Sequence, residues 1–204
     1  MITLVKGNAE TLTVEVPQRQ RKDIRIEIAD DGLLHIRTRV EHDWWGHIFG
    51  SPRKTPRLTL VYRDLDSIEL NGTVKLESEA LRSPHLDIAV SGTASLDIRG
   101  LDTDTLRLDG SGAMKAHLAG RATSQHIVIS GAGKYESPSL MSDDAHVQLA
   151  GAGKVIVHAA KTLDVNISGA GRVDYIGDPR VTQHISGVGR VQRQGAAPTH
   201  ARIA

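Results

Sequence analysis

The segment Ile129-Ser130-Gly131-Ala132-Gly133-Lys134-Tyr135 decides the fold, because the chain repeats it. Its pattern is apolar, serine, glycine, alanine, glycine, basic and apolar. Close copies begin at Leu149, Ile167 and Ile185, and weaker copies begin at Leu108, Val90 and Leu70. With the first glycine of each copy as an anchor, the seven anchors lie at 72, 92, 110, 131, 151, 169 and 187. A period of about twenty residues is typical of one turn of a solenoid.

The residues around each anchor alternate between apolar and variable positions. Two residues before the anchors stand Leu70, Val90, Leu108, Ile129, Leu149, Ile167 and Ile185. Such a period of two is typical of a strand with one buried face, and no segment shows the 3.6-residue stripe of a helix. The sequence therefore predicts an all-β fold, a short parallel β-helix (solenoid) of about seven coils.

The paired glycines predict sharp corners between the strands of each coil. These corner glycines are Gly110, Gly112, Gly131, Gly133, Gly151, Gly153, Gly169, Gly171, Gly187 and Gly189. We expect them to adopt φ values that other residues tolerate poorly, with the small residue between each pair directed inward. A polar stack is expected beside the corners, formed by Asn71, Ser91, Asp109, Ser130, Ser168 and Ser186.

Residues 1–66 do not repeat and predict an N-terminal cap of strands over the open solenoid end. The predicted strands are Thr3–Val5, Thr11–Val16, Ile24–Ile28, Leu33–Val40 and Leu58–Tyr62. Residues 41–56 are expected to form an aromatic loop within this cap. Residues 67–193 form the repeat domain, and residues 194–204, without alternation, are expected to be a mobile tail.

Composition excludes several classes of protein. Lys plus Arg number 25 and Asp plus Glu number 24, so the net charge of +1 predicts no nucleic-acid partner. There is no cysteine for a disulfide or a thiolate metal site, and no apolar run long enough to cross a membrane. Met1–Lys6 is typical of a strand, not of a signal peptide.

The serial Ser-Gly-Ala-Gly repeats, together with Asp174–Pro179 before the last repeat, resemble the auto-transporter adhesin, head GIN domain family. The resemblance extends from Thr3 to Val191. It implies a β-helical module exported to the periplasm or cell surface of a bacterium. It implies no catalytic residues.

The seven residues three positions after the anchors are Lys75, Ser95, Ala113, Lys134, Lys154, Arg172 and Arg190. Five of these seven residues are basic. Stacked on successive coils, Lys134, Lys154, Arg172 and Arg190 form a candidate site for an anionic polymer. Acidic residues two positions later, including Glu77, Asp97, Glu136 and Asp174, leave a second interpretation, a solvated face of ion pairs.

No cofactor or metal is predicted. Gly131–Lys134 is not a phosphate loop, because Tyr135 follows where that motif needs Ser or Thr. His126 and His146 share a column but lack further ligands, and are expected to be stacked surface histidines. The acids Glu77 with Asp97, or Glu136 with Asp174, could serve a glycosidase only as a remote alternative.

Both tryptophans and the single phenylalanine, Trp44, Trp45 and Phe49, gather in the aromatic loop. They are candidates for a sugar-binding or oligomer surface, or for a cover over the solenoid end.

Three functions remain open on the sequence. The first is a non-catalytic, adhesin-like envelope module that binds a glycan or a protein. The second is a self-assembling, bactofilin-like scaffold, which would form a homo-oligomer. The third is a polysaccharide-active enzyme.

Overall fold

A computed structural model of the chain describes residues 1–15, 24–28, 34–38 and 57–194, with the backbone alone for 24–28 and 34–38. All of the regular elements are strands: β1 (Ile2–Lys6), β2 (Thr11–Glu15), β3 (Ile24–Ile28), β4 (Leu34–Thr38), β5 (Arg57–Tyr62), β6 (Ser67–Leu70), β7 (Thr73–Ser78), β8 (Leu81–Arg82), β9 (His85–Val90), β10 (Thr93–Gly110), β11 (Ala113–Ile129), β12 (Ala132–Leu149), β13 (Ala152–Ile167), β14 (Ala170–Ile176), β15 (Arg180–Ile185) and β16 (Val188–Arg193). No helix occurs in the described ranges.

The repeats form a β-solenoid of about six turns, which confirms the predicted fold class. Each repeat pairs in parallel with the repeat before it and the repeat after it, from β7 through β10, β11, β12 and β13 to β14 and β16. The seven predicted units correspond to seven corners, and six turns separate seven corners. Strands β10–β13 are 16–18 residues long, so a single strand follows nearly the whole coil.

The core is a stack of aliphatic side chains inside the coils. Residues at alternate positions are buried, as the period of two predicts, and columns such as Ile88, Leu108, Ile127, Val147 and Val165 run through successive coils. These five side chains are at most 1% exposed. Each aliphatic side chain packs between the equivalent side chains of the coils before and after it, so its surface is removed from water. This burial stabilises the solenoid.

The position of the third corner differs from the one predicted by aligning the repeats on their first glycine. Gly112, not Gly110, stacks between Gly92 and Gly131, because Ala113 donates to the Gly92 carbonyl and Ala132 to the Gly112 carbonyl. Gly110 instead ends β10, and its register partners are Val90 and Ile129. The shift of two residues keeps the buried and exposed faces unchanged, but each residue near this corner pairs with neighbours two positions away from those that the repeats predicted.

The second glycine of each pair was also predicted wrongly. Gly133, Gly153, Gly171 and Gly189 lie inside strands, where their positions face the core, while the bends hold Gly112, Gly131, Gly151, Gly169 and Gly187. The residues between the paired glycines therefore point outward; Ala132, Ala152 and Ala170 are exposed and Val188 is 83% exposed.

At the N-terminal side, β1 pairs in parallel with both β7 and β5, and β2 is antiparallel to β5 at the end of the sheet. Leu4 and Tyr62 join the buried core. Strands β3 and β4 form a separate antiparallel pair. The role of residues 1–66 as a cap stays a prediction, as does that of the tail, most of which lies outside the described residues.

Candidate functional site

The basic residues after the corners form one continuous column on the solenoid surface. Parallel pairing aligns Lys75, Ser95, Lys115, Lys134, Lys154, Arg172 and Arg190, one on each successive coil. We call these seven residues the basic column. Neighbouring coils are about 4.8 Å apart, as in any sheet, so six cations and one serine follow one line along the axis.

Lys115 is the member that the sequence alignment missed. An anchor at Gly110 placed Ala113 in the column, whereas the structural anchor Gly112 places Lys115 there, between Ser95 and Lys134. The signal was present, since Ser111-Gly112 matches Ser130-Gly131 of the next coil better than Asp109-Gly110 does. The last five positions of the column are therefore all basic.

Three cations of the column have acidic partners. The Lys75 amine lies 2.6 Å from Glu77, the Lys154 amine 3.1 Å from Glu136, and Arg172 Nε 3.1 Å from Asp174. A hydrogen bond from Lys75 lowers the pKa of Glu77, and one from Lys154 lowers the pKa of Glu136. These pairs match the ion-paired face that the sequence left as the second interpretation.

The other three cations, Lys115, Lys134 and Arg190, make no ion pair with any described residue. The reason lies in the neighbouring outward column. Beside Lys115 that column holds His117, whose Nδ1 is 3.0 Å from the Glu136 carbonyl oxygen, and the Glu136 carboxylate is engaged by Lys154. Two positive charges without an ion pair of their own thus occupy adjacent coils, and Glu136, whose pKa is lowered first by the Lys154 hydrogen bond and to a smaller extent by the Lys134 charge, lies nearby.

Small exposed residues border the basic column on one side. One position after the anchors stand Thr73, Thr93, Ala113, Ala132, Ala152, Ala170 and Val188, and one position before them Asn71, Ser91, Ser111, Ser130, Ala150, Ser168 and Ser186. We call these two columns the small-residue track. Its serine column is the predicted polar stack, with Ser111 in place of Asp109, and Ser91 donates to the Asn71 side-chain oxygen. Asp109 instead pairs with Arg107 at 2.8 Å.

The carboxylates considered for glycoside hydrolysis are all engaged by cations. Glu77 and Asp97 are neighbours in one column, and Glu136 and Asp174 are two coils apart with Ile156 between them. Asp97 lies 3.7 Å from Arg99, and the other three carboxylates have the partners given above. Asp174 is also nearly fully buried, where Gln194 donates to it.

His126 and His146 stack as predicted, with ring centroids 4.6 Å apart and planes 5° from parallel. His146 Nδ1 lies 3.2 Å from Asp164. Burial, and secondly the neighbouring His146, lowers the pKa of His126. Within the described ranges, no group of three or more potential metal ligands occurs.

The remaining candidates, Trp44, Trp45 and Phe49, lie outside the described residues. Their role stays a prediction. In the described part of the chain, no helix is long and apolar enough to cross a bilayer.

This geometry defines a class of protein, a parallel β-solenoid that presents in-register columns of side chains on its surface. Within that class, the chain belongs to the family described as "Putative auto-transporter adhesin, head GIN domain", which matches residues 1–179. The family resemblance predicted from the repeats is therefore confirmed.

Solved structures of similar fold come from Bacteroides and Parabacteroides species. A protein from Bacteroides fragilis described as a "putative adhesin" has a TM-score of 0.84 at 20% identity, over 95% of this chain and 87% of the other. A "putative adhesin" from Parabacteroides merdae gives 0.70 at 17%, over 95% and 88%. A "Putative lipid binding protein" from Parabacteroides distasonis gives 0.68 at 17%, over 95% and 88%. At such identities the likeness shows the fold alone. No curated protein matches the chain.

Proposed function

We propose that the chain is a non-catalytic, adhesin-like module of the bacterial envelope, which binds a glycan or a protein ligand along its side. Membership of a family described as adhesins supports this function and an exported location. The observation that carries the proposal is the side of the solenoid formed by the basic column and the small-residue track, because parallel register repeats one surface along the molecule. Regular surfaces of solenoids serve as extended binding faces.

The engaged carboxylates support a non-catalytic role. An inverting glycosidase needs one carboxylic acid with a raised pKa and one free carboxylate. Here cationic partners lower the pKa of Glu77 and of Glu136, which favours the ionised form of both groups. Neither group is suited to act as a general acid near neutral pH.

The test is a glycan array probed with the labelled chain, followed by incubation of each bound glycan with a large excess of protein. Saturable binding without release of reducing ends is the expected result. New reducing ends from any bound polysaccharide would show that the module is an enzyme. The absence of binding both to the array and to envelope proteins would reject the adhesin-like role.

Self-assembly is a second candidate, and the C-terminal end of the solenoid favours it. In the described part of the chain, β15 pairs only with β13 and β16 only with β14. Ile185, an inward position in the earlier coils, is 38% exposed there. Free strand edges with apolar side chains promote association.

Light scattering after gel filtration, over a wide concentration range, tests this scaffold. If the C-terminal end of the solenoid is the contact between copies, we expect the chain to assemble and the Ile185→Lys variant to stay monomeric. A chain that stays monomeric at the highest concentration would reject the scaffold.

A further inference from the structure

We propose that the basic column binds a single-chain acidic polysaccharide that lies along the solenoid axis; this inference rests on the proposed binding function and names its ligand class. The Lys115 and Lys134 ammonium groups would contact carboxylate groups of successive sugars, and Arg190 would extend the contact toward the C-terminal end. The column places one residue on each coil, about every 4.8 Å, close to the advance of one sugar in an extended polysaccharide.

Charge is the first support for this site. Lys115 and Lys134 occupy adjacent coils and make no ion pair within the described ranges, so they repel each other, and only the charge of Lys134 is partly offset, by the nearby Glu136 that Lys154 already holds. An anion between them would relieve that repulsion and would not have to displace an internal partner. Lys75, Lys154 and Arg172 each hold a carboxylate already and would contribute less.

Shape is the second support. A polymer needs an open path, and the small-residue track supplies one directly beside the cations. Residues such as Ala113 and Ala132 rise little above the backbone, so a chain of sugars could lie close to the coils. The hydroxyl groups of Ser111 and Ser130 border this path; each donates to a backbone carbonyl, of Val90 at 3.3 Å and of Gly110 at 3.4 Å, and can still accept a hydrogen bond from a sugar hydroxyl.

The neighbouring charges favour a narrow ligand over a broad one. Asp97 and Glu136 lie on the other side of the basic column, and the whole chain carries a net charge of only +1. The positive strip is thus one residue wide. A nucleic-acid duplex or an anionic membrane would bring negative charge over those carboxylates as well, and like charges repel at that range. A single chain with one carboxylate per sugar would not.

The experiment measures binding of polygalacturonate by isothermal titration calorimetry at low salt. The variant Lys115→Gln with Lys134→Gln removes the two unpaired cations. Arg121→Gln with Arg180→Gln is the matched control, because both arginines are exposed, lie off the column and lack an ion pair in the described part of the chain. We expect the column variant to bind about tenfold more weakly and the control to stay within about twofold.

A gain of binding provides an independent test. Ser95 is the single non-basic residue in the column, between Lys75 and Lys115. Ser95→Lys should tighten polygalacturonate binding about three- to tenfold, whereas Ser95→Gln should not change it. All of these side chains lie on the outward face, and matching thermal melts confirm that each variant is folded.

Equal losses in the column and control variants would overturn the proposal, as would binding that does not weaken as salt rises. Tighter binding to duplex DNA or to anionic vesicles than to polygalacturonate would overturn it too. If the chain binds a neutral glycan or a protein but no acidic polysaccharide, this inference fails while the adhesin-like function stands. If it binds nothing at all, the proposed function fails with it.

Discussion

From the second repeat onward, the first glycine of each repeat is required because neighbouring coils approach one another closely there. A methyl group built on Gly151 would overlap the Gly131 carbonyl oxygen and lie 2.6 Å from the Ser130 carbonyl oxygen. Both atoms belong to the backbone of the preceding coil and cannot move aside without disturbing its hydrogen bonds. A methyl group on Gly133 would meet flexible side-chain atoms instead, at 3.0 and 3.4 Å in Ile129.

Gly151→Ala should therefore destabilise the fold by about 1–3 kcal/mol through overpacking, and Gly133→Ala by clearly less. Urea denaturation monitored by circular dichroism measures both. If the two substitutions cost the same, close backbone approach is not what selects glycine at the corner.

Positive φ is not the general reason for these glycines, contrary to the expectation from sequence. Among the described residues only Gly72, Gly120 and Gly177 have positive φ, at 85°, 132° and 104°. Gly133, Gly153 and Gly171 do not. A sequence shows that a corner needs glycine, but a strained dihedral and a close neighbour produce the same residue choice.

Tyr135 anchors a polar network inside the apolar core. Its hydroxyl donates to Gln125 Oε1 at 2.9 Å, the Gln125 amide donates to Ser142 Oγ at 2.7 Å, and Ser142 donates to the His158 carbonyl at 2.7 Å. Tyr135 and Gln125 are fully buried, beside the small residues Ala116 and Ala145 of neighbouring coils. The network fills the space that these alanines leave.

Tyr135→Phe should cost about 1–3 kcal/mol, because the Gln125 oxygen loses a donor in a place that water does not reach. Tyr135→Phe combined with Gln125→Leu removes both partners, and should cost less than the sum of the single substitutions. Chemical denaturation of the four proteins gives this coupling. Strict additivity would show that the two side chains do not interact.

The same tyrosine predicts a pH dependence. Burial raises the pKa of Tyr135 above its ordinary value of 10.0, so the folded chain keeps a proton that the unfolded chain releases. Its contribution to stability is complete below pH 10 and is lost as the pH rises from there toward the folded-state pKa. Denaturation midpoints between pH 9 and 11 should fall more steeply for the parent than for Tyr135→Phe. Parallel curves would contradict the prediction.

At the scale of the strand, alternation determines which side chains face the core. Ile167 is fully buried, while its neighbour Asn166 is exposed. Ile167→Asp places an unpaired carboxylate among aliphatic side chains and should cost more than about 4 kcal/mol or prevent folding. Asn166→Asp adds the same charge at the surface and should stay within about 0.5 kcal/mol. Similar thermal shifts for both variants would refute the assigned faces.

Strand faces could be predicted from the sequence, but strand register could not be predicted throughout. Gly110-Ser111-Gly112 imitates the Gly-Ala-Gly of later coils, so a pattern match favours Gly110 as the corner. A shift of two residues preserves the alternation, so the alternation does not penalise it. The serine before Gly112 favours one corner and the paired glycines favour the other, and the coil-to-coil hydrogen bonds at Gly92 and Gly112 decide between them.

At the scale of the whole molecule, a solenoid is stabilised by contacts between neighbouring coils and by few others. Coils formed by β11 and β12 have paired strands on both sides, whereas β15 and β16 each have one partner in the described ranges. Amide hydrogen exchange followed by mass spectrometry should therefore be fastest at 180–193 and slowest at 113–149. Uniform protection over both ranges would indicate that the domain opens as one unit.

The non-repeating part of the molecule was the least predictable from sequence. The sequence of each repeat can be compared with those of its neighbours, and agreement among seven copies compensates for ambiguity in any one of them. Residues 1–66 have no such copies. The sequence predicted their strands near the observed bounds, yet it did not predict that β1 lies between β5 and β7.

The hydrogen bonds that join one coil to the next run along the solenoid axis, and this direction determines how the molecule responds to mechanical force. Tension that draws the C-terminal end away from the body would load the outermost bonds first and peel off one coil at a time. A coil of 18 residues, such as the one that begins at Ala152 and ends just before Ala170, would add about 60 Å of length when it is released. A tethered chain would thus extend in steps under flow and dissipate each pull, while the inner coils keep their surface intact.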